Sequence, residues 1–184
     1  MSSNNKKESV SVFGYGSLMW DGWEMQFQGI CVGKAILKGY HRSFNKKSTR
    51  NWGTTDVPCP TLGLEKSNGE ECVGLVFKFY NNQRDAIEVY LKKREGISFQ
   101  LVEIEVELKR GQKEMVLTSI NRPEMSTYID VTNFNTLVDM VQNASGKDGS
   151  CFEYIKNIHM KCKELNIEDD YVQKMWEGIN YDVA

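Results

Sequence analysis

Two places in this 184-residue chain bring together residue types that can do chemistry. In Phe13-Gly14-Tyr15-Gly16-Ser17-Leu18, two glycines flank a tyrosine directly after the alternating run Val10-Ser11-Val12-Phe13. Glycine permits positive φ angles and lets backbone N–H groups come close to an anion, so such a loop can hold a carboxylate or a phosphate. It lacks the Gly-Lys-Ser/Thr ending of a phosphate-binding P-loop, and Met19 stands where the third glycine of G-x-G-x-x-G would fall. Nucleotide binding is thereby set aside. Two readings fit the spacing alone: an anion loop, or glycines that only turn a strand while Tyr15 packs in the core.

Glu95 is the second place. It falls four residues after Leu91 and eight after Ile87, on the apolar side of an expected helix. A carboxylate there meets two effects that disfavour its charged form, partial desolvation and the negative end of the helix macrodipole, and both suit proton transfer. The alternative is a carboxylate that runs out to solvent beside Arg94. Glu88, with Lys92 four residues on, reads as a surface ion pair. His41 and His159 have no company at metal-ligand spacing, and the chain has neither His-x-x-x-His nor Gly-x-Ser-x-Gly, so neither a metal site nor a serine-hydrolase elbow is expected. The five cysteines contain no C-x-x-C pair and read mostly as buried thiols. Cys59, in Pro58-Cys59-Pro60, lacks an evident partner base, which leaves a thiol nucleophile the weaker alternative.

These residues need elements to hold them. Residues 1–8 are polar and read as a tail before the first strand. Further strands are expected over residues 30–38, 61–65 and 72–79, the last two joined by a hairpin turn at Ser67-Asn68-Gly69. Residues 45–60 read as a long polar loop that covers a site. A helix capped by Asn81 or Asn82 runs to Glu95 and stops at Gly96. Val102, Ile104, Val106 and Leu108 alternate with Glu103, Glu105 and Glu107, the pattern of a half-buried strand. A hairpin at Arg110-Gly111-Gln112 leads to a strand over residues 115–120, and helical spacing follows in Phe152, Ile155, Ile158, Cys162 and Leu165 and again in Val172, Met175, Trp176 and Ile179. Without regular βαβ alternation, this order predicts one mixed α/β (α+β) domain over residues 9–184, its largely antiparallel sheet closing into a small β-barrel with flanking helices.

Composition narrows the partners. Hydrophobic residues make up 40% and charged residues 26%, ordinary for a globular protein, and the net charge is −2. Lys and Arg are spread along the chain, which gives no basic footprint for nucleic acid or for an anionic membrane. No apolar run reaches the length of a membrane span, and the first residues lack the apolar core of a secretory signal. A small-molecule partner and a cytoplasmic location are expected.

Several segments, in order, resemble the gamma-glutamylcyclotransferases, and most closely their ChaC-type, glutathione-specific branch. Val12-Phe13-Gly14-Tyr15-Gly16-Ser17-Leu18-Met19-Trp20 is similar to that branch's N-terminal signature, and Gly39-Tyr40-His41-Arg42-Ser43-Phe44 to its Gly-Tyr-His-Arg-x-Phe strand. Ser48-Thr49 with Gly53-Thr54, and Val73-Gly74-Leu75-Val76-Phe77, resemble its Ser-Thr and Gly-Thr loop and the strand before its central helix. Tyr90-Leu91-Lys92-Lys93-Arg94-Glu95 resembles the family's Tyr-Leu-x-x-Arg-Glu, and Phe152-Glu153-Tyr154-Ile155 its Arg-Glu-Tyr-Leu. Residues 167–172 are similar to the entry into the family's last helix. Two departures stand out: Gly96-Ile97-Ser98-Phe99 stands in place of Lys-Gly-Gly-Tyr, and Phe152 replaces the arginine.

The resemblance implies a cofactor-free reaction in which the α-amine of a gamma-glutamyl group attacks its own γ-carbonyl, forming 5-oxoproline and releasing the attached amine or peptide. It implies Glu95 as acid/base residue, and Tyr15, Gly16, Ser17, Leu18, Arg42, Ser48 and Tyr154 as substrate-binding positions. Glutathione is the substrate it points to; the departures leave another gamma-glutamyl amino acid or amine as the alternative, and a non-catalytic binding relative as a second.

Overall fold

The alternating run after residue 8 forms strand β1, Ser9–Gly14, in a computed structural model that describes residues 9–130 and 132–181. The expected tail over residues 1–8 lies outside the described residues. Next in order come β2 (Ile30–Ser48), β3 (Cys59–Tyr80), α1 (Arg84–Glu95), β4 (Phe99–Glu107), β5 (Lys113–Asn121) and α2 (Phe134–Gln142). Two short strands, β6 (Ser145–Gly146) and β7 (Gly149–Ser150), precede α3 (Cys151–Glu164) and α4 (Asp170–Tyr181).

The expected mixed domain is present: its five longer strands close into a barrel in the order β1-β3-β2-β4-β5. β1 runs antiparallel to β3, with Val12 opposite Phe77, and β2 antiparallel to β4, with Ile36 opposite Glu107. A parallel seam between β1 and β5, with Val12 opposite Leu117, completes the closure. Contacts divide the domain into two compact units, one of residues 9–39 and 68–120, the other of residues 40–67 and 121–181; β2 and β3 pass through both.

In the first unit, Val10, Val12 and Phe13 of β1 are buried together with Leu75, Phe77 and Phe79 of β3 and Ile87 and Leu91 of α1. Burial of each such side chain contributes about 1.5–3 kcal/mol. β2 is longer than the expected 30–38. Gly33 (φ +124°) and Gly39 (φ +78°) take backbone conformations that favour glycine, and the strand continues past them to Ser48. The expected turn at Ser67-Asn68-Gly69 has Gly69 at φ +87°, and the extended segments on either side of it both fall within β3. The acidic face of β4 behaves as the alternation predicts, with Glu103, Glu105 and Glu107 paired to Arg84, Lys113 and Lys38.

In the second unit, α2, α3 and α4 pack on one another. Asn133 caps α2 and accepts the amides of Asn135 and Thr136; Ser150 and Glu153 form a reciprocal capping box at the start of α3. Ile155, Ile158 and Cys162 face inward as their spacing predicts, whereas Phe152 is 38% exposed and tilts against Trp176.

One cysteine expectation is corrected. Cys59 and Cys151 form a disulfide between the start of β3 and the first residue of α3, at a sequence separation of 92 that no spacing pattern reveals. Cys31, Cys72 and Cys162 remain thiols. No helix among the described residues is long and apolar enough to cross a membrane.

Candidate active site

Glu95 is the last residue of α1, and Gly96 stops the helix at φ +72°, its N–H donating to Lys92 O at 3.0 Å. The helix begins later than the asparagine cap implied: residues 81–83 make a 3-10 turn, and the α-helical bonds start at Arg84. Lys92, Lys93 and Arg94 sit in the last turn, where cations offset the macrodipole. On the face of buried Ile87 and Leu91, the Glu95 side chain is 19% exposed. It is neither sealed in the core nor extended into water, a placement suited to a carboxylate that must meet a solute.

The glycine loop lies in the same unit. After β1 the chain makes a 3-10 turn over Ser17–Met19, whose bonds begin with Met19 N–H donating to Gly16 O at 2.9 Å. The expected positive φ is absent here, since Gly16 has φ −124° and ψ −134°. Glycine is required instead for close approach: a Cβ on Gly14 would stand 2.9 Å from Leu18 Cβ. Tyr15 is buried, and its hydroxyl donates to Ser119 O at 2.7 Å, which pins the loop to β5. Thr118 Oγ1 adds a bond to Phe13 O at 3.0 Å. Leu18 also turns into the core. Gly16 and Ser17 are the half-buried residues of this loop, between buried Tyr15 and buried Leu18.

Arg94 joins the loop to the helix end. Its Nη2 donates to Ser17 Oγ at 2.8 Å and to Asp21 Oδ2, and its Nη1 donates to the Tyr90 hydroxyl at 3.0 Å. Nε lies 3.9 Å from Glu95 Oε1, an ion-pair distance too long for a hydrogen bond. Burial pulls the guanidinium pKa down, but the carboxylates of Asp21 and Glu95 and the bonds to Asp21 and Tyr90 outweigh it, so the pKa rises. Behind this group, Tyr90 stacks on Trp23 with ring centroids 5.7 Å apart and planes 8° apart, and Trp23 also meets Phe77 and Phe79. Asp21 Oδ1 accepts the Trp23 amide at 3.2 Å.

The other positions expected to bind substrate lie in the second unit. Arg42 is 1% exposed and donates from Nη1 to Asp169 Oδ2 at 2.8 Å. Ser48 Oγ accepts the Trp52 amide at 3.2 Å, and the Trp52 ring lies 5.3 Å from that of Tyr154. The Tyr154 hydroxyl accepts the Leu62 amide at 3.0 Å. Ser48 and Tyr154 are thus brought together through Trp52, and Arg42 is held by Asp169.

The long polar loop shrinks to residues 49–58 because β2 reaches Ser48 and β3 begins at Cys59. It is fastened along its length: Thr54 N–H donates to Val57 O at 2.9 Å, Lys147 N–H to Arg50 O at 2.9 Å and Asp148 N–H to Asn51 O at 2.7 Å.

Sequence reasoning did not single out Asp21, Trp23, Trp52 or the side-chain role of Arg94. Only Tyr90 and Arg94 carried a legible signal, their i, i+4 spacing on one helix face. Among the described residues, no three His, Cys, Asp or Glu side chains gather as a metal site.

A family model described as ChaC-like protein matches residues 10–181. Gamma-glutamylcyclotransferase 2-3 of Arabidopsis thaliana is 27% identical over 179 residues, covering 92% of this chain and 88% of its own length. The glutathione-specific gamma-glutamylcyclotransferase of Escherichia coli (strain K12) is 27% identical over 163 residues, covering 88% of this chain and 68% of its own. Among solved structures, the yeast gamma-glutamyl cyclotransferase specific to glutathione superposes with a TM-score of 0.82 over 94% of this chain and 96% of its own, at 19% identity, and so shares the fold.

Proposed function

The chain belongs to the ChaC-like protein family, and we propose that it is a gamma-glutamylcyclotransferase that converts glutathione to 5-oxoproline and Cys-Gly. One observation carries the reading at the level of residues: the half-buried carboxylate of Glu95 follows directly on the guanidinium bonded to Ser17 of the glycine loop. An acid/base group and a backbone-presenting loop thereby belong to one unit.

In the proposed reaction the α-amine nitrogen bonds to the γ-carbonyl carbon of the same gamma-glutamyl group, and the bond from that carbon to the cysteinyl nitrogen breaks. Nucleophile and electrophile share one short chain, which in favourable cases gives effective molarities of roughly 10⁵ M or more. What remains is proton and charge management. Glu95 takes the proton that the attacking nitrogen must lose and returns it to the departing nitrogen, so that the carboxylate is regenerated. The backbone of Gly16, Ser17 and Leu18 supplies donors to the substrate's α-carboxylate or to the oxyanion that forms at the γ-carbon. Arg42, Ser48 and Tyr154 are each engaged inside the second unit, which favours a supporting role for them.

A second substrate reading has its own support. Gly96-Ile97-Ser98-Phe99 follows Glu95 in place of the family's Lys-Gly-Gly-Tyr, and Ile97 is 74% exposed. A gamma-glutamyl amino acid or amine is the substrate under that reading. Incubation of the purified protein with glutathione and a panel of gamma-glutamyl compounds, assayed for 5-oxoproline, separates the two, and no 5-oxoproline from any of them would overturn both. The cytoplasm is the proposed compartment.

A further inference from the structure

The proposed chemistry uses the last residue of Tyr90-Leu91-Lys92-Lys93-Arg94-Glu95 and leaves Tyr90 and Arg94 without a task. We infer that Arg94 is a positioning residue, which sets the substrate loop against Glu95 by clamping Ser17 and Asp21 to the end of α1. This inference rests on the cyclotransferase reading above.

The geometry is specific to a guanidinium. One planar group spans three acceptors, with Nη2 on both Ser17 Oγ (2.8 Å) and Asp21 Oδ2 and Nη1 on the Tyr90 hydroxyl (3.0 Å). A lysine ammonium is a point donor on a flexible stem and does not reproduce this fork. Each acceptor is itself fixed. Ser17 opens the 3-10 turn, and its carbonyl accepts the amides of Trp20 and Asp21 at 3.1 and 3.3 Å. Asp21 is held by the Trp23 amide, and Tyr90 is stacked on that same Trp23. Trp23 is 2% exposed and packed among Phe27, Phe77 and Phe79, so the clamp is braced on the core of its unit.

The two ends of the clamp are the two parts of the proposed chemistry. Ser17 belongs to the backbone that meets the substrate's anionic end, and Glu95 is covalently next to Arg94. Ring closure needs amine, carbonyl and base aligned, and a displacement of about 1 Å can cost roughly 100-fold in rate. Arg94 touches neither the reacting atoms nor the leaving group in this account; it acts through Ser17 and Asp21.

The test measures kcat and KM for 5-oxoproline release from glutathione, together with urea midpoints, for the wild-type protein and for Arg94→Lys, Asp21→Asn, Ser17→Ala and the double variant Arg94→Lys/Asp21→Asn. Arg84→Gln, on the opposite end of α1 and paired among the described residues to Glu88 and Glu103, is the control. The clamp predicts kcat lower by roughly 10- to 100-fold in Arg94→Lys and Asp21→Asn, a smaller loss in Ser17→Ala, and a double variant no worse than the poorer single one. The control should keep wild-type kcat. Ser17→Ala buries no new charge, so it reports on the clamp even where the other variants fold poorly. Variants that lose stability but keep wild-type kcat per folded molecule overturn the inference and leave the cyclotransferase reading intact. A wild-type protein that releases no 5-oxoproline from any gamma-glutamyl compound overturns both.

Discussion

Arg94 Nη2 lies 2.8 Å from Ser17 Oγ, across 77 residues of sequence. That bond makes the glycine loop and the end of α1 one structural object, although each was a separate feature of the sequence. The neighbouring side chains are engaged as well: Tyr15 is bonded to Ser119, and Leu18 is buried.

The loop should tolerate no side chain at its first glycine. A Cβ at position 14 would meet Leu18 Cβ at 2.9 Å and the Phe77 ring at 3.4 Å, so Gly14→Ala must push the turn away from β1. The expected result is a roughly 10- to 100-fold loss in kcat/KM with the fold retained, measured by 5-oxoproline release alongside circular dichroism.

Asp169 has two structural tasks in the second unit. Its Oδ2 accepts from Arg42, which is 1% exposed, and its Oδ1 accepts the Val172 amide at 3.0 Å at the start of α4. Asp169→Ala takes away the carboxylate beside a buried cation and removes the cap as well. Breaking a buried pair costs about 3–5 kcal/mol, and urea denaturation should show a loss of that order. A loss below about 1 kcal/mol would return Arg42 to the list of substrate contacts.

His159 is buried against the Trp176 ring, with centroids 4.8 Å apart. Desolvation lowers its pKa below the ordinary 6.5, with Lys163 acting in the same direction and Glu177 against it. The neutral imidazole is therefore the form that fits the folded state. The unfolded chain takes up the proton first as pH falls, so the His159 contribution is fully present above about pH 6.5 and is lost as pH drops toward the folded pKa. Thermal midpoints recorded from pH 7.5 to 5 should fall for the wild-type protein and fall less for His159→Phe.

The Cys59–Cys151 disulfide ties β3 to the first turn of α3, where Tyr154 also accepts the Leu62 amide. A closed loop of that length lowers the unfolded chain's entropy by an amount worth about 4–5 kcal/mol in the loop-closure picture. Cys59→Ser/Cys151→Ser should lower the thermal midpoint, and prolonged reduction of the unfolded wild-type protein before refolding should do the same.

The mixed barrel, the helix over Ile87 and Leu91 and the carboxylate at its end were all readable, because each follows from local periodicity or from ordered motifs. Elements whose cause is long-range were not. β2 runs through Gly33 and Gly39, both at positive φ, to Ser48, and a linear reading ends it before the second glycine. The loop's glycines suggested positive φ, while the structure uses Gly14 for proximity to Leu18. The disulfide joins residues 92 apart, and the bond that anchors Tyr15 spans 104 positions. Asp21, unremarkable in sequence, has meaning only once Arg94 is beside it.

The central claim is that Glu95 moves the proton. Replacement by glutamine keeps the size and the neutral hydrogen-bonding capacity of the side chain and removes its ability to exchange a proton. In Glu95→Gln, 5-oxoproline release from the best gamma-glutamyl substrate should fall by roughly 10²- to 10⁴-fold, with the thermal midpoint and substrate binding retained. Release at the wild-type rate would contradict the account.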